Sequence, residues 1–330
     1  MMTAQYDVAG LGNAIVDVIA PADDAFLLEH NIAKGVMTLI DEFRADQLYR
    51  AMPRAQEIAG GSAANTMAGL ASLGGRGLFV GKVRSDRLGQ SFAASLKSIG
   101  VDYITRMAQE GPQSACCLIL VTPDGHRSMN TYLGASRDIG PADIHEEEIA
   151  AAAVLYIEGY LWDAPEAKAA INKAMKASKK VRRQVAFTLS DPFCVARWRN
   201  EFRTLMNELD ILFANEEEAK ALFEAGDFDS VLQSLRDWPG VAALTRSEDG
   251  CVVTSRGEVH VIDAVPVSRV VDTTGAGDQF AAGFLYGLTH GKDLAHCGRL
   301  GVLAAAEVIS HYGARPEASL RELAGKAKLL

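Results

Sequence analysis

No stretch of this chain stays apolar for the roughly 18 residues that a membrane-crossing helix needs. Met1 to Tyr6 has neither a basic start nor a hydrophobic core, so no secretory signal is visible. Cysteine is scarce. Cys116, Cys117, Cys194, Cys251 and Cys297 are odd in number and none forms a C-x-x-C pair, so they read as reduced thiols of a cytoplasmic protein, most of them core fillers. The histidines show no H-x-H or H-E-x-x-H spacing, which argues against a zinc enzyme. No G-x-x-x-x-G-K-[ST] run occurs, which leaves the P-loop class unsupported. Basic residues are in deficit: 33 Lys and Arg against 42 Asp and Glu give a formal charge of −9. A general nucleic-acid binder needs basic surface, so that class is disfavoured. ATP is not excluded, because a phosphate site needs only local donors and a metal. The one basic cluster, Lys179-Lys180-Val181-Arg182-Arg183, reads as a solvated helix end, where cations suit the dipole.

What the chain does have is alternation. Asp7–Ile15, Gly77–Val83, Val154–Glu158, Val185–Leu189, Ile211–Ala214 and Val241–Leu244 are short apolar runs, as buried parallel strands should be. Helical stretches such as Ala164–Ser178 and Glu216–Glu224 separate many of them. The pattern predicts an α/β fold with a mainly parallel sheet and helices on both faces. With no long linker and no internal repeat, residues 1–330 read as one domain. Two regions break the alternation. Val16–Ala20 with Gly35–Ile40, and Ser114–Val121 with Gly125–Leu133, read as strands without crossover helices, and Thr122-Pro123-Asp124-Gly125 is a good hairpin turn for the second pair. They predict a small antiparallel sheet.

Asp272-Thr273-Thr274-Gly275-Ala276-Gly277-Asp278 is the most informative run. It ends a strand-like segment, Val265 to Val271, and opens an apolar helix marked by Phe280, Phe284 and Leu288. Glycines at a helix start let bare amides approach a ligand at the positive end of the dipole, and Asp278 adds a carboxylate that can take a proton from a hydroxyl. Capping alone would explain an isolated run of this kind. A second glycine element far upstream, Gly60-Gly61-Ser62-Ala63-Ala64-Asn65, also opens a small-residue helix, running to about Gly74. A competing dinucleotide-binding reading of Gly10-x-Gly12 fails, because Ile15 stands where the third glycine belongs.

On these residues the chain resembles the ribokinase-like (PfkB-type) family of carbohydrate and nucleoside kinases. Gly60-Gly61 through Gly74 resembles the family's first signature and Asp272 to Phe280 its second. Gly10 to Asp17 fits the opening strand with its substrate-binding Asp, Asn215-Glu216-Glu217-Glu218 the Asn-x-x-Glu element, and Gly313-Ala314-Arg315-Pro316 the closing segment. The resemblance implies a three-layer α/β/α domain with a small β-sheet lid, here at about 16–41 and 108–135, whose closure excludes water.

The resemblance also implies roles. Asp278 is the general base, and the amides of Gly275, Ala276 and Gly277 are the anion hole. Arg127, after the hairpin turn, swings onto the transferring phosphate; an exposed strand arginine is the other reading. Asn13, Asp17, Gly60, Gly61 and Asn65 hold the acceptor hydroxyls. Asn215 and Glu218 organise magnesium, partly through water, or form a capping box, or both. Thr245, Ser247, Gly250 and Thr274 serve the nucleotide, with Ser247 standing where the family's Thr-x-Gly-x-x-Gly has glycine. Asp272 and Thr274 match a monovalent-cation position, with potassium as the expected ion, or make a stabilising turn.

Gly-x-Gly-Asn-Ala-x-x-Asp, Tyr156 to Leu161, Leu189 to Phe193 and His126 to Met129 resemble the adenosine-kinase-like branch. There Met37, Met129, Leu133, Leu161 and Phe193 would wall a flat purine; ordinary packing is the alternative for each. The expected function is therefore ATP-dependent, magnesium-assisted phosphorylation of a nucleoside, with adenosine first. A sugar kinase acting on ribose or fructose and a catalytically silent nucleoside sensor stand as alternatives, and either a monomer or a homodimer fits.

Overall fold

The computed structural model of the chain describes residues 4–330. Its strands, in chain order, are β1 (Tyr6–Leu11), β2 (Ile15–Pro21), β3 (Met37–Leu39), β4 (Gln56–Gly60), β5 (Gly77–Val80), β6 (Asp102–Tyr103), β7 (Ala115–Val121), β8 (Arg127–Tyr132), β9 (Ala152–Glu158), β10 (Gln184–Thr188), β11 (Ile211–Asn215), β12 (Val241–Thr245), β13 (Cys251–Ser255) and β14 (Glu258–Ile262). They form two sheets. The larger has the order β14-β13-β12-β11-β10-β9-β1-β5-β6 and is parallel except for β13 and β14, which run antiparallel to their neighbours at one edge.

Successive side chains of the large sheet point to opposite faces, so each face has its own core. Val8, Tyr156, Ala186, Phe213 and Ala243 pack with Met67, Leu70, Phe280, Phe284 and Leu300 from helices Ser62–Leu73, Ala276–Thr289 and Leu294–Val308. Ala9, Leu11, Leu155, Ile157, Phe187, Leu212 and Leu244 face helices Pro165–Lys180, Pro192–Leu205, Glu216–Phe223 and Phe228–Leu235. This is the three-layer α/β/α arrangement the sequence predicts.

The second sheet has the order β3-β8-β7-β2-β4. Strand β2 alternates, with Val16, Val18 and Ala20 buried. These pack with Leu118 and Leu120 of β7 beneath helices Asp24–Glu29 and Glu42–Ala51, through Leu27, Ala45 and Leu48. The opposite face carries Asp17 and Ile19, and the register aligns Ile19, Ile119, Met129 and Met37 in one row. Helices cover the first face; on the second, Cys117 and Ile119 are still buried while Met37 and Leu39 of the edge strand are exposed.

The structure corrects several expectations. Asp7–Ile15 is not one strand. β1 stops at Leu11, and the chain turns at Gly12 and enters the second sheet as β2. A Cβ on Gly12 would stand 2.4 Å from Glu158 Oε2, so only glycine fits where the chain passes this carboxylate. Val265–Val271 is irregular rather than a strand. Pro266 has no amide to donate to a ladder, and Val270 is left exposed. The small sheet is mixed, not antiparallel, since β2 pairs β7 and β3 pairs β8 in parallel. It also takes in β4, outside the two segments expected, because this short run has too few apolar residues to announce itself.

Helices Ala276–Thr289 and Leu294–Val308 approach through glycine. A Cβ on Gly283 would lie 2.3 Å from the Leu300 carbonyl oxygen, and one on Gly301 would lie 2.7 Å from the Phe280 ring. Backbone cannot give way as a flexible side chain can, so Gly283→Ala is expected to destabilise the chain by about 1–3 kcal/mol. Urea unfolding reads this directly, and an unchanged midpoint would mean that the two helices part freely.

Candidate active site

The C-terminal ends of β1, β9, β11 and β12 open toward one side of the large sheet, where ligands of open α/β sheets bind. Two helix N-termini meet there. Gly275 caps helix Ala276–Thr289 with φ 80°, and Gly61 caps helix Ser62–Leu73 with φ 93°; neither makes a side-chain cap bond. Both positions lie in the left-handed region, where glycine alone is unstrained. The positive ends of both helices thus come together with bare amides.

Asp278 lies between them. Its Oδ1 accepts from Ser62 Oγ at 2.6 Å and its Oδ2 from Asn65 Nδ2 at 3.2 Å. Next to it, buried Gln279 donates to the carbonyls of Asn65 (3.0 Å) and Ala314 (2.9 Å), tying both helices to the closing segment. Burial pushes the Asp278 carboxyl up to about 6, while the two bonds favour the charged form. At neutral pH it is a carboxylate poised to take a proton. Of the expected anion-hole amides, that of Ala276 already donates to the Thr273 carbonyl at 3.2 Å. Gly277 is exposed, and a Cβ there would meet nothing within 4 Å.

Asp17 faces the same cleft from β2. Burial raises its carboxyl to about 6; the charges of Arg315 and Arg127 pull it down and that of Asp278 pushes it up. Gly60 leaves it room, since a Cβ there would stand 2.4 Å from Asp17 Oδ2. Asn13 is held by Glu158, whose Oε1 accepts from Asn13 Nδ2 at 2.8 Å and whose Oε2 accepts from the Ala63 amide at 3.0 Å. Glu158 thereby supplies the cap that Gly61 lacks. Desolvation pushes its carboxyl up to about 7 against those bonds.

Arg127 is neither exposed nor free. Its guanidinium is buried and bonds Asp272 Oδ2, and its Nε has no partner. Asp272 Oδ1 accepts from the Thr274 amide (3.0 Å) and hydroxyl (2.7 Å), and Oδ2 also from the Gly313 amide (3.0 Å). Asp272 and Thr274 therefore make the stabilising turn.

Asn215 and Glu218 form a complete capping box: Asn215 Oδ1 accepts from the Glu218 amide at 2.8 Å and Glu218 Oε2 from the Asn215 amide at 3.0 Å. Burial pushes the Glu218 carboxyl up to about 7, with the charges of Asp191 and Asp278 adding to the rise. Thr245 ends β12, and the Arg246 amide donates to the Gly250 carbonyl at 2.8 Å. Ser247 adopts φ 50°, so the left-handed conformation that would favour glycine is kept by serine, at a cost of about 1–2 kcal/mol.

The expected apolar wall is only partly assembled. Met37 and Met129 are paired on the open face of the second sheet, and Leu133 follows β8 half-buried. Phe193 is 77% exposed at the start of helix Pro192–Leu205. Leu161 is 2% exposed within the core between the large sheet and its outer helices, which is the packing alternative rather than a pocket wall. Sequence reasoning missed Ser62, Glu158, Gln279 and Arg315, although each lies in or beside a motif it read. Glu158 had a visible signal, a lone acid closing an apolar strand.

A helix-start carboxylate between bare amides, facing a second buried carboxylate across a cleft, defines a site for moving a phosphoryl group onto a hydroxyl. The profile described as pfkB family carbohydrate kinase matches residues 36–320, and the chain belongs to that family. Its fold is similar to a probable sugar kinase from Rhizobium etli (46% identical, TM-score 0.92, covering 99% of this chain and 100% of that one). It is also similar to the adenosine kinase of Sinorhizobium meliloti (49% identical, TM-score 0.90, 98% and 100%). The adenosine kinase of Saccharomyces cerevisiae is 29% identical over 337 residues, 94% of this chain and 96% of that protein. Within the family, the chain falls in the adenosine-kinase-like branch and is a phosphotransferase with a hydroxyl acceptor.

Because burial raises the Asp278 carboxyl, its stability term is fully present below the unfolded value near 4 and is lost as pH rises through about 6. Asp278→Asn keeps an acceptor for Asn65 and a donor for Ser62 without the charge. It is expected to unfold at a higher temperature than the parent at pH 8, with the margin narrowing from pH 7 toward 4. A margin independent of pH would show that the carboxylate carries no burial penalty.

Proposed function

We propose that the chain is an ATP-dependent nucleoside kinase that phosphorylates the 5′-hydroxyl of adenosine. The observation that carries this reading is the placement of Asp278 where two glycine-started helix N-termini meet, opposite Asp17. Asp17 and Asn13 offer hydrogen-bonding groups to paired ribose hydroxyls, and the Met37–Met129 row offers an apolar surface to a flat base. Likeness to adenosine kinases along nearly the whole chain supports the same substrate.

In this mechanism the acceptor hydroxyl attacks the γ-phosphorus in line. The new O–P bond forms as the bond to the β–γ bridging oxygen breaks, ADP leaves, and the hydroxyl proton passes to Asp278. The Gly275 and Gly277 amides, at the positive end of their helix, receive the developing charge. Arg127, held beside Asp17 and Asp272, reaches the phosphoryl group by exchanging its Asp272 partner.

The carboxylates of Asp191 and Asp278 both lie within electrostatic reach of Glu218. Among the described residues no cluster of three metal-ligating side chains stands close enough to hold an ion by itself. That combination fits magnesium bound mainly through water and phosphate oxygens, with Asn215 and Glu218 in its surroundings. Bound there, the ion would neutralise phosphate charge. Closure of the second sheet over the cleft would exclude water; the segments 16–41, 56–60 and 108–135 would form that lid.

The test is ADP release across adenosine, guanosine, inosine, cytidine, ribose and fructose at equal concentrations. Adenosine is expected to turn over selectively. A free sugar preferred over every nucleoside would favour the reading suggested by likeness to a probable sugar kinase. Asp278→Asn is expected to bind adenosine nearly as well and to turn over about a hundredfold more slowly, or worse. Unchanged turnover would remove Asp278 from the role of base.

A further inference from the structure

Arg315 stands where the closing segment crosses the cleft, and it is fixed on both flanks. The Gly313 amide donates to Asp272 at 3.0 Å, and the Ala314 carbonyl accepts from Gln279 at 2.9 Å. On the other side, Glu307 Oε1 accepts from the amides of Glu317 (2.9 Å) and Ala318 (2.7 Å). Nε of Arg315 donates to Asn65 Oδ1 at 3.4 Å and Nη1 to Ser95 Oγ at 3.3 Å; Nη2 is buried without a partner.

A guanidinium can only donate, so it can face only the carbonyl end of the Asn65 amide. The NH2 end is then turned to Asp278 Oδ2, where it stands at 3.2 Å. With the amide reversed, two acceptors would confront each other at Asp278. We propose that Arg315 is a positioning residue for the base, holding the Asn65 amide so that its NH2, not its oxygen, faces Asp278. The inference rests on the reading of Asp278 as the base.

The remaining ionisable groups around Asp278 cannot set that orientation. Asp17 on β2, Tyr156 and Glu158 on β9, and Glu218 on helix Glu216–Phe223 all feel the Asp278 charge, and all four are acids. The charges of Arg315 and Asp17 attract each other, while toward Asp278 the hydrogen-bonded path from Arg315 runs through the Asn65 amide. Its effect on the base therefore passes through Asn65. Losing a donor to the charged form raises a carboxyl pKa, so without Arg315 the base stays protonated to higher pH.

The experiment follows the Asp278 carboxyl by 13C NMR in aspartate-labelled protein without substrate, assigning the signal by its absence in Asp278→Asn. Arg315→Met is expected to raise the midpoint by about one unit. Arg315→Lys, which keeps a cationic donor, is expected to restore most of the difference and guards against misfolding of the first variant. In an Asn65→Ala background, Arg315→Met should add no further shift. The acid limb of kcat/KM should move upward with the NMR midpoint. An unmoved midpoint in Arg315→Met overturns the proposal, and so does an equal shift that persists without Asn65, because the guanidinium would then act by charge alone. The titration needs no acceptor. Silence on every acceptor would sink the nucleoside-kinase reading, while the NMR shifts would still decide the Arg315–Asn65–Asp278 coupling.

Discussion

The meeting of two helix N-termini at Asp278 is the constraint on which the rest of the structure depends. Helices Ser62–Leu73 and Ala276–Thr289 bring partial positive charge to the same place, an arrangement that repels unless anions stand between the two ends. Asp278 takes donors from the first helix, and Glu158 accepts its Ala63 amide. Gln279 then clamps the pair by bonding Asn65 and Ala314 at once. The hydrogen bonds of Asp278 and Glu158 thus tie the helices together, although burial works against the charge of each carboxylate.

The cleft is short of positive charge. Asp17, Asp278, Glu158 and Glu218 are all pushed toward neutrality by burial, and the cations named in their surroundings, Arg127 and Arg315, act on Asp17. Buried acids with so little paired positive charge are costly to the fold. The capping box at Asn215 and Glu218 and the turn at Asp272 belong to the same logic. Local hydrogen bonds hold these acidic groups rigid, so little ordering remains to be done on binding.

The second sheet completes the cleft because it is asymmetric. One face is closed by two short helices, and the other turns Asp17 into the cleft and leaves Met37 exposed at its edge strand. Its Arg127–Asp272 ion pair joins it to the loop that begins helix Ala276–Thr289, so the position of the sheet and the geometry of that loop are physically linked.

The central parallel strands β1, β5, β9, β10, β11 and β12 were legible because burial on both faces demands unbroken apolar runs, whereas the edge strands β6, β13 and β14 were not; both glycine motifs were legible because a helix start of this kind permits few residues. The break after Leu11 was not, because it answers to Glu158, which lies far along the chain yet stands against Gly12 in the fold. The run Val265–Val271 has strand composition but lies beyond the end of β14 and has no ladder to join. Leu161 and Phe193 looked alike as candidates for a purine wall, and tertiary packing sent one into the core and left the other in solvent.

By itself, then, the sequence determined the α/β layering, the two helix starts and the identity of the carboxylate between them, since these follow from local periodicity and from the few residues a helix N-terminus allows. Only the tertiary structure decided which groups that carboxylate meets. Ser62 and Asn65 reach it from more than two hundred residues upstream, and no local preference specifies a hydrogen bond across such a separation.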